Sequence, residues 1–415
     1  MHSDDLVVSI GVRVSPVSDV LKRKGTTEPS AVTSLSVTSK PWPYERRRLL
    51  LQLNLDMTRA SATGDYDPRL NLLNRYALFC VAWILLLIFF GGQVKSTESG
   101  LSVPDWPNTY GHFLLTFPYE KWVGGIFWEH SHRLIASAAG LLTVVLAIWA
   151  WRVDGRRVTR RLAVASVVAV VVQGGFGGLT VLLILPAWTS IVHGTLAQVY
   201  LCLVAALGVV TSRRWFERAR VVMFDDARLQ RLAVITIVIV FVQLLVGALV
   251  RHTEAGLAIP DFPTMYGAWV PPLSDAAIAA SNRELWQMNL PPVDRWQIIS
   301  HMLHRIGAVV VTIVIFMTAV RIRRFHRDDI WYTRPALLLV LLLIVQLTLG
   351  ILVILTERHF IITSSHVTAG AATLVTSFVL MLRTGRSGPG RSTARKTGGP
   401  TAVTKPAVVP EEVSA

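Results

Sequence analysis

Residues 162–211 read LAVASVVAVVVQGGFGGLTVLLILPAWTSIVHGTLAQVYLCLVAALGVVT, without a single Asp, Glu, Lys or Arg. A helix that spans a bilayer needs about 20 mainly apolar residues. This stretch is long enough for two, and Pro186 marks the turn between them. Working outward, runs of the same kind cover 76–94, 134–151, 162–185, 188–210, 232–250, 298–320, 335–355 and 360–382. They predict an all-α integral membrane protein with eight transmembrane helices. A hydrophobic share of 52% over 415 residues agrees, being too high for an ordinary soluble chain.

The net charge of +15 is placed by topology. Arginines crowd 152–161, 213–231, 321–334 and the segment after 383, while 95–128 and 251–297 hold few. This is the positive-inside bias, and it predicts both termini on the cytoplasmic side. It also removes the need for a nucleic-acid partner. The two cysteines, Cys80 and Cys202, lie inside predicted helices and indicate neither a disulfide framework nor a thiolate metal site.

The chain reads as a polar cytoplasmic extension over 1–75, expected to be disordered, and an amino-terminal four-helix bundle over 76–212. A cytoplasmic linker over 213–231, a second four-helix bundle over 232–383 and a disordered tail over 384–415 follow. Asp4, Asp5, Glu28 and Glu45 suit a transit peptide poorly, so a bacterial cytoplasmic membrane fits better than a mitochondrial inner membrane.

The two bundles are internally similar. Thr97, Glu98, Gly100, Leu101, Pro104, Asp105 and Pro107 recur as Thr253, Glu254, Gly256, Leu257, Pro260, Asp261 and Pro263, at a constant offset of 156. His132-Arg133 recurs as His304-Arg305 at 172, and Gln173 and Gly177 recur as Gln346 and Gly350 at 173. Four helices per repeat return the chain to its starting side, so the halves form a tandem parallel repeat.

Four histidines, His132, His193, His304 and His366, fall near the starts of predicted helices. The spacing is 61 residues in the first half and 62 in the second. Imidazole within a membrane is costly and is usually kept for function. Two imidazoles on helices flanking one cavity can clamp a haem iron from both sides, whereas no carboxylate or thiolate completes a compact zinc or copper site. The plain alternative for each is a polar residue at the membrane interface. Gly174, Gly175, Gly177, Gly178, Gly350 and Gly370 suit either a planar cofactor or close helix packing. Arg133 and Arg305 suit haem propionates or membrane anchoring, with Lys95 and Arg251 weaker candidates of the same kind. The halves part at one telling position, where Glu129 of the first stands against His301 of the second. Glu129 precedes His132 by three residues and shares its helix face, which makes it a candidate for proton transfer or charge stabilisation. Glu98 and Glu254 read as turn-shaping residues, and Trp106, Trp122, Trp128, Trp269 and Trp296 as an outer aromatic belt.

Together, Thr97-Glu98-Ser-Gly100-Leu101, Pro104-Asp105-Trp106-Pro107, Glu129-x-x-His132-Arg133, His193, His304-Arg305 and His366 resemble the haem A synthase family over residues 76–382. The resemblance implies oxidation of a methyl group of haem O to a formyl group, giving haem A for cytochrome oxidase. It implies that Glu129, His132 and His193 flank the substrate haem O, and that His304 and His366 ligate a bound haem b. Haem O synthase as donor, a separate electron donor and a homo-oligomer are compatible partners. One departure is that some bacterial members carry a cysteine pair in the first outer loop, where this chain has Val103 before Pro104 and no cysteine. The residues alone leave two other readings open. A dihaem membrane cytochrome b in quinol-linked electron transfer needs no Glu129, and a parallel-repeat transporter needs no haem.

Overall fold

A computed structural model describes residues 66–219, 226–271 and 273–385. The expected extension up to residue 65, six linker residues (220–225) and the tail from 386 lie outside the described residues. Among the described residues there are eight helices long and apolar enough to cross a membrane. They are α1 (Arg69–Ser96), α2 (Gly124–Val153), α3 (Arg157–Leu182), α4 (Ala187–Thr211), α5 (Ala227–His252), α6 (Arg295–Phe325), α7 (Ile330–Leu355) and α8 (Phe360–Thr384). The chain is an integral membrane protein.

Several helices outrun the apolar runs that announce them. α1 begins at Arg69 and not at 76, because Leu70 and Leu73 are already buried in the core that α1 shares with α4. α2 begins at Gly124, ten residues before its apolar run, and so takes in Glu129, His130 and His132. Two short helices also appear. Arg213–Ala219 follows α4, and Asp275–Gln287 stands in the second long loop, where the Ser274 side chain accepts from the Ala277 amide and caps its start.

In the first half, α1 packs on α2, α2 on α3, α3 on α4 and α4 back on α1. In the second half α5, α6, α7 and α8 close a ring in the same order. α8 also packs against α1 and α4, and α4 against α5. The inner helices are therefore α4 and α8, whose spans are 61% and 50% buried against 28% or less for the others. The outer helices turn large apolar side chains such as Leu141, Val171, Phe316 and Leu337 outward, as lipid contact requires.

The end of the bundle away from the long loops is pinned by charge. Asp226 caps α5 through the Leu229 amide and pairs with Arg321 of α6 at 2.6 Å and with His326 at 2.9 Å. Asp154 pairs with Arg156, whose guanidinium also donates to the Val210 carbonyl at the end of α4. Burial alone would raise the Asp226 carboxyl, but hydrogen bonds from Arg321, His326 and the Leu229 amide outweigh it and bring the pKa down to about 2. A depressed carboxyl stabilises the fold fully above the ordinary carboxylate range and loses that contribution as pH falls toward about 2. Asp226→Ala is expected to cost about 1–3 kcal/mol. Thermal unfolding in detergent at pH 7 measures the loss, and the gap between variant and parent should close on acidification through that range.

Candidate functional site

The four histidines sit within the first three turns of α2, α4, α6 and α8, at the end that carries the long loops. Each ring lies against a glycine of the preceding helix. A Cβ at Gly91 of α1 would stand 2.9 Å from His132 Cε1, and one at Gly247 of α5 would stand 3.0 Å from His304 Cε1. At Gly177 of α3 and Gly350 of α7 the distances to His193 and His366 would be 3.1 and 3.2 Å. Any larger side chain would push the imidazole away, so the glycines set where the rings stand. Other glycines serve different ends. Gly178 makes room for the Trp106 indole, while a Cβ at Gly174 or Gly175 would meet open space.

Four residues before three of these glycines stands a glutamine. Gln243 Nε2 donates to the His304 carbonyl at 2.8 Å and lies 3.1 Å from its Nδ1. Gln173 Nε2 donates to the His193 carbonyl at 3.0 Å and lies 3.3 Å from Nε2 of the ring. Gln346 Nε2 lies 3.3 Å from His366 Nε2. Gly91 and Gly247 recur between the halves at the loop offset of 156, whereas Gln243 is not singled out by comparing them, since it has Leu87 opposite it. The readable signal is a glutamine four residues ahead of a glycine, repeated on α3, α5 and α7.

The arrangement fits a haem. The His304 and His366 ring centroids are 6.3 Å apart at 71°. Two imidazoles bound to one metal at about 2 Å each would hold their centroids about 6 Å apart. Nδ1 of His132, His193 and His366 is buried with no hydrogen-bond partner, which is unfavourable unless something else occupies the site. Among the described residues no three His, Cys, Asp or Glu are grouped to hold a bare metal ion. A pair of imidazoles at this separation suits a ligand that brings its own equatorial donors, as a porphyrin does.

Over each histidine pair lies a loop built to one plan. Asp105 accepts from the Tyr110 and Gly111 amides at 2.8 Å each, and Asp261 from the Tyr266 and Gly267 amides at 2.7 and 3.0 Å. These bonds hold both carboxyls below their usual range against the upward push of burial. The Tyr110 and Tyr266 hydroxyls close the turns onto the carbonyls of Ser102 and Ala258. Arg133 donates to the carbonyls of Val103, Asp105 and Asn108, and Arg305 to those of Ile259, Asp261 and Thr264. Both guanidinium forks are thus engaged with loop backbone.

Glu129 is buried, pairs with Arg133 at 2.6 Å and accepts from the Val103 amide at 2.8 Å. In the second half the Ile259 amide meets His301 Nδ1 at 3.3 Å, and Arg305 Nε meets His301 Nε2 at 3.3 Å. The same brace thus has a carboxylate in one half and an imidazole in the other. Lys95 and Arg251 tie the halves together. Lys95 pairs with Glu254 at 2.5 Å, and Glu254 also pairs with Arg358 at 2.7 Å. Arg251 donates to the Gly92 carbonyl and the Ser96 hydroxyl. Trp269 and Trp296 are exposed as a belt residue would be, whereas Trp122 packs on the buried His130 ring at 4.7 Å.

Residues 74–379 match the COX15-CtaA family of cytochrome oxidase assembly proteins. The chain is 25% identical over 299 residues to a haem A synthase of Halalkalibacterium halodurans, covering 68% of this chain and 87% of that protein. It is 28% identical to haem A synthases of Geobacillus kaustophilus and Shewanella oneidensis, covering 68% and 72% of this chain and 82% and 92% of theirs. The matched region contains all eight long helices but for the ends of α1 and α8, both loops and all four histidines. The chain belongs to the COX15-CtaA family of cytochrome oxidase assembly proteins.

Proposed function

We propose that this protein is a haem A synthase of a bacterial membrane, an oxidoreductase that converts a methyl group of haem O to a formyl group. The observation that carries the reading is a matched pair of histidine sites whose braces differ, with Glu129 in one and His301 in the other. Two sites meant only to pass electrons have no need of that difference. The first half, with His132 and His193, takes the substrate haem O. The second half, with His304 and His366, holds a haem b that supplies electron transfer when bound.

In this reading the chain's own groups do four things. His132 and His193 approach the substrate from opposite helices and orient it. Glu129 holds negative charge one helical turn from His132, where it stabilises positive charge developing as the methyl group is oxidised, or takes its proton. Arg133 fixes that carboxylate in place while closing the loop, and Arg305 does the same for His301. The loops, with Trp106 packed on Gly178, exclude water from the outer end of the first site. With dioxygen as the oxidant, each of two successive oxidations takes one dioxygen, two protons and two electrons from the donor, inserts one oxygen atom as a hydroxyl group and releases one water, and the resulting hydrated aldehyde loses water to leave the formyl group. We assign the halves to a tandem parallel repeat, supported by the shared loop plan. We place the arginine-rich end and both termini in the cytoplasm on charge bias. Haem O synthase is the natural donor of substrate, a separate protein or quinol the donor of electrons, and self-association is compatible with the exposed apolar helices.

Glu129→Ala should keep the haem of the second half and yield no haem A. Chromatography and mass spectrometry of extracted haems, after co-expression with a haem O source, test this, and normal haem A from the variant would sink the assignment. A second expectation concerns the glycines. Gly247→Val would drive a branched side chain into the His304 ring, so it should lose most haem from the second half while the first-half site persists, as read by the pyridine haemochrome content per protein.

A further inference from the structure

At the arginine-rich end, where the link between the halves meets the second bundle, one group of cations lacks matching acids. Trp331, at the start of α7, is buried, and two guanidinium groups lie over its ring. Arg383, in the last turn of α8, stands 4.6 Å from the ring centroid, and Arg218 of the Arg213–Ala219 helix stands 5.8 Å from it. Arg383 is held at two points. It donates to the Trp331 carbonyl at 2.8 Å, and the Trp331 indole donates to the Arg383 carbonyl at 3.3 Å. Trp215 of the short helix lies 6.4 Å from Trp331, ring to ring, which carries its neighbour Arg214 to the same spot. Arg334 follows Trp331 by three residues, one turn along α7. Arg214 and Arg334 are exposed, and both are close enough to repel Arg383. Asp329 offsets them in part, but it is already paired with Arg218. Among the described residues no carboxylate pairs with Arg214, Arg334 or Arg383. Nε of Arg383 and Nε of Arg218 are buried without an acceptor.

Exposed arginines at this end satisfy the positive-inside bias and by themselves need no ligand. This group differs because one member is half-buried and fixed, while its neighbours share its sign. Holding like charges together costs free energy that a bound anion offsets. A guanidinium fork matches two oxygens of a phosphate at once. The group sits where α7 starts and α8 ends, at the depth of the lipid headgroups on that face. The chain beyond residue 385 does not bring the missing charge, since it has five Lys and Arg against two Glu. We propose that Arg214, Arg334 and Arg383 form a binding site for the phosphate of one anionic glycerophospholipid, in the leaflet we place on the cytoplasmic side. Trp331 and the Arg218–Asp329 pair frame the site. Its three arginines come from the link between the halves, from α7 and from α8. A headgroup bound there fastens the link to the second bundle. A zwitterionic headgroup carries its own cation into the site and binds less well.

The test uses the haem-loaded, full-length protein in detergent, stripped of co-purifying lipid. It is titrated with dioleoylphosphatidylglycerol, dioleoylphosphatidylcholine or inorganic phosphate, and native mass spectrometry counts the bound lipids. The parent should take up one phosphatidylglycerol ahead of any others, and at lower concentration than phosphatidylcholine. Arg214→Gln with Arg334→Gln changes two exposed side chains. It should weaken that first binding about ten- to thirtyfold, the worth of two cations beside a headgroup. Arg323→Gln with Arg324→Gln removes the same charge from the exposed end of α6. It should change the binding by less than about twofold, since solvent and salt screen it there. Equal losses in the two double variants would mean a general surface potential and overturn the site. Phosphatidylcholine binding as tightly as phosphatidylglycerol, or parent-like binding in the Arg214/Arg334 variant, overturns it too. Thermal unfolding in the same titrations is the second readout. Phosphatidylglycerol should raise the Tm of the parent, and a rise with inorganic phosphate alone would make the ligand a free phosphate and overturn the lipid assignment. Binding is read without turnover, so failure of the haem A synthase reading leaves this result standing.

Discussion

An imidazole inside an apolar bundle must be given room and at least one polar partner, and this requirement organises the whole molecule. The room comes from glycine. At Gly91, Gly177, Gly247 and Gly350 the neighbouring helix offers bare backbone to a histidine ring, and a methyl group there would already press on it. Helix pairs α1–α2, α3–α4, α5–α6 and α7–α8 are thereby each fixed in register at one point near the same end of the protein. Closing two such pairs into a ring brings two histidines to face one interior space, as His304 and His366 do at 6.3 Å. The remainder of each ring needs only generic apolar packing, which the Leu-, Val- and Ala-rich cores provide.

The polar groups that this arrangement draws into the loop end are satisfied from above. Arg133 and Arg305 each gather three loop carbonyls that no helix or strand would otherwise pair. Leaving such groups buried and unpaired would cost on the order of 1–3 kcal/mol each. One arginine per half thus does for an irregular loop what a backbone ladder does for a strand. It also couples the loop to the helix turn that bears the histidine, since Arg133 and Arg305 directly follow His132 and His304. Charge pairs then join the halves, with Glu254 lying between Lys95 of α1 and Arg358 of the α7–α8 turn. Burial alone would lift the Glu254 carboxyl, and these two cations hold it below its usual range.

The spans were legible because hydropathy is a long-window signal that eight separate runs carry independently. Their starts were less so. α2 begins ten residues before its apolar run because Glu129, His130 and Arg133 look like loop residues by polarity, yet each has its partner folded over it, as Thr109 meets His130 at 3.0 Å. Ser274-Asp275 ahead of an alanine-rich stretch is a readable cap, but a search for membrane spans passes over a helix of 13 residues. Among site residues, the histidines were legible from recurrence between halves. Gln243 was not, because its meaning lies in recurrence within a half, from one helical hairpin to the next, and its first-half counterpart is a leucine. Arg133 and Arg305 were visible as charged neighbours of the histidines. That they serve the loop carbonyls could not be read before the loop's path was known.

Halves with the same helix order make difference informative, since a like architecture removes the structural reasons for divergence. Around the histidines the halves agree in glycine contacts, in arginine hubs and in the aspartate turns beneath Tyr110 and Tyr266. They differ at Glu129 against His301 and at Leu87 against Gln243, and both differences fall beside His132 and its counterpart His304. One adds charge to the first site, and the other leaves it without the carboxamide that bonds the His304 carbonyl in the second. Neither serves stability, since a paired buried carboxylate is at best weakly stabilising and a missing hydrogen bond is a loss. Both fall in the half to which we assign the substrate haem. The helix order is common to the two halves, and the residues that tell them apart fall around one imidazole.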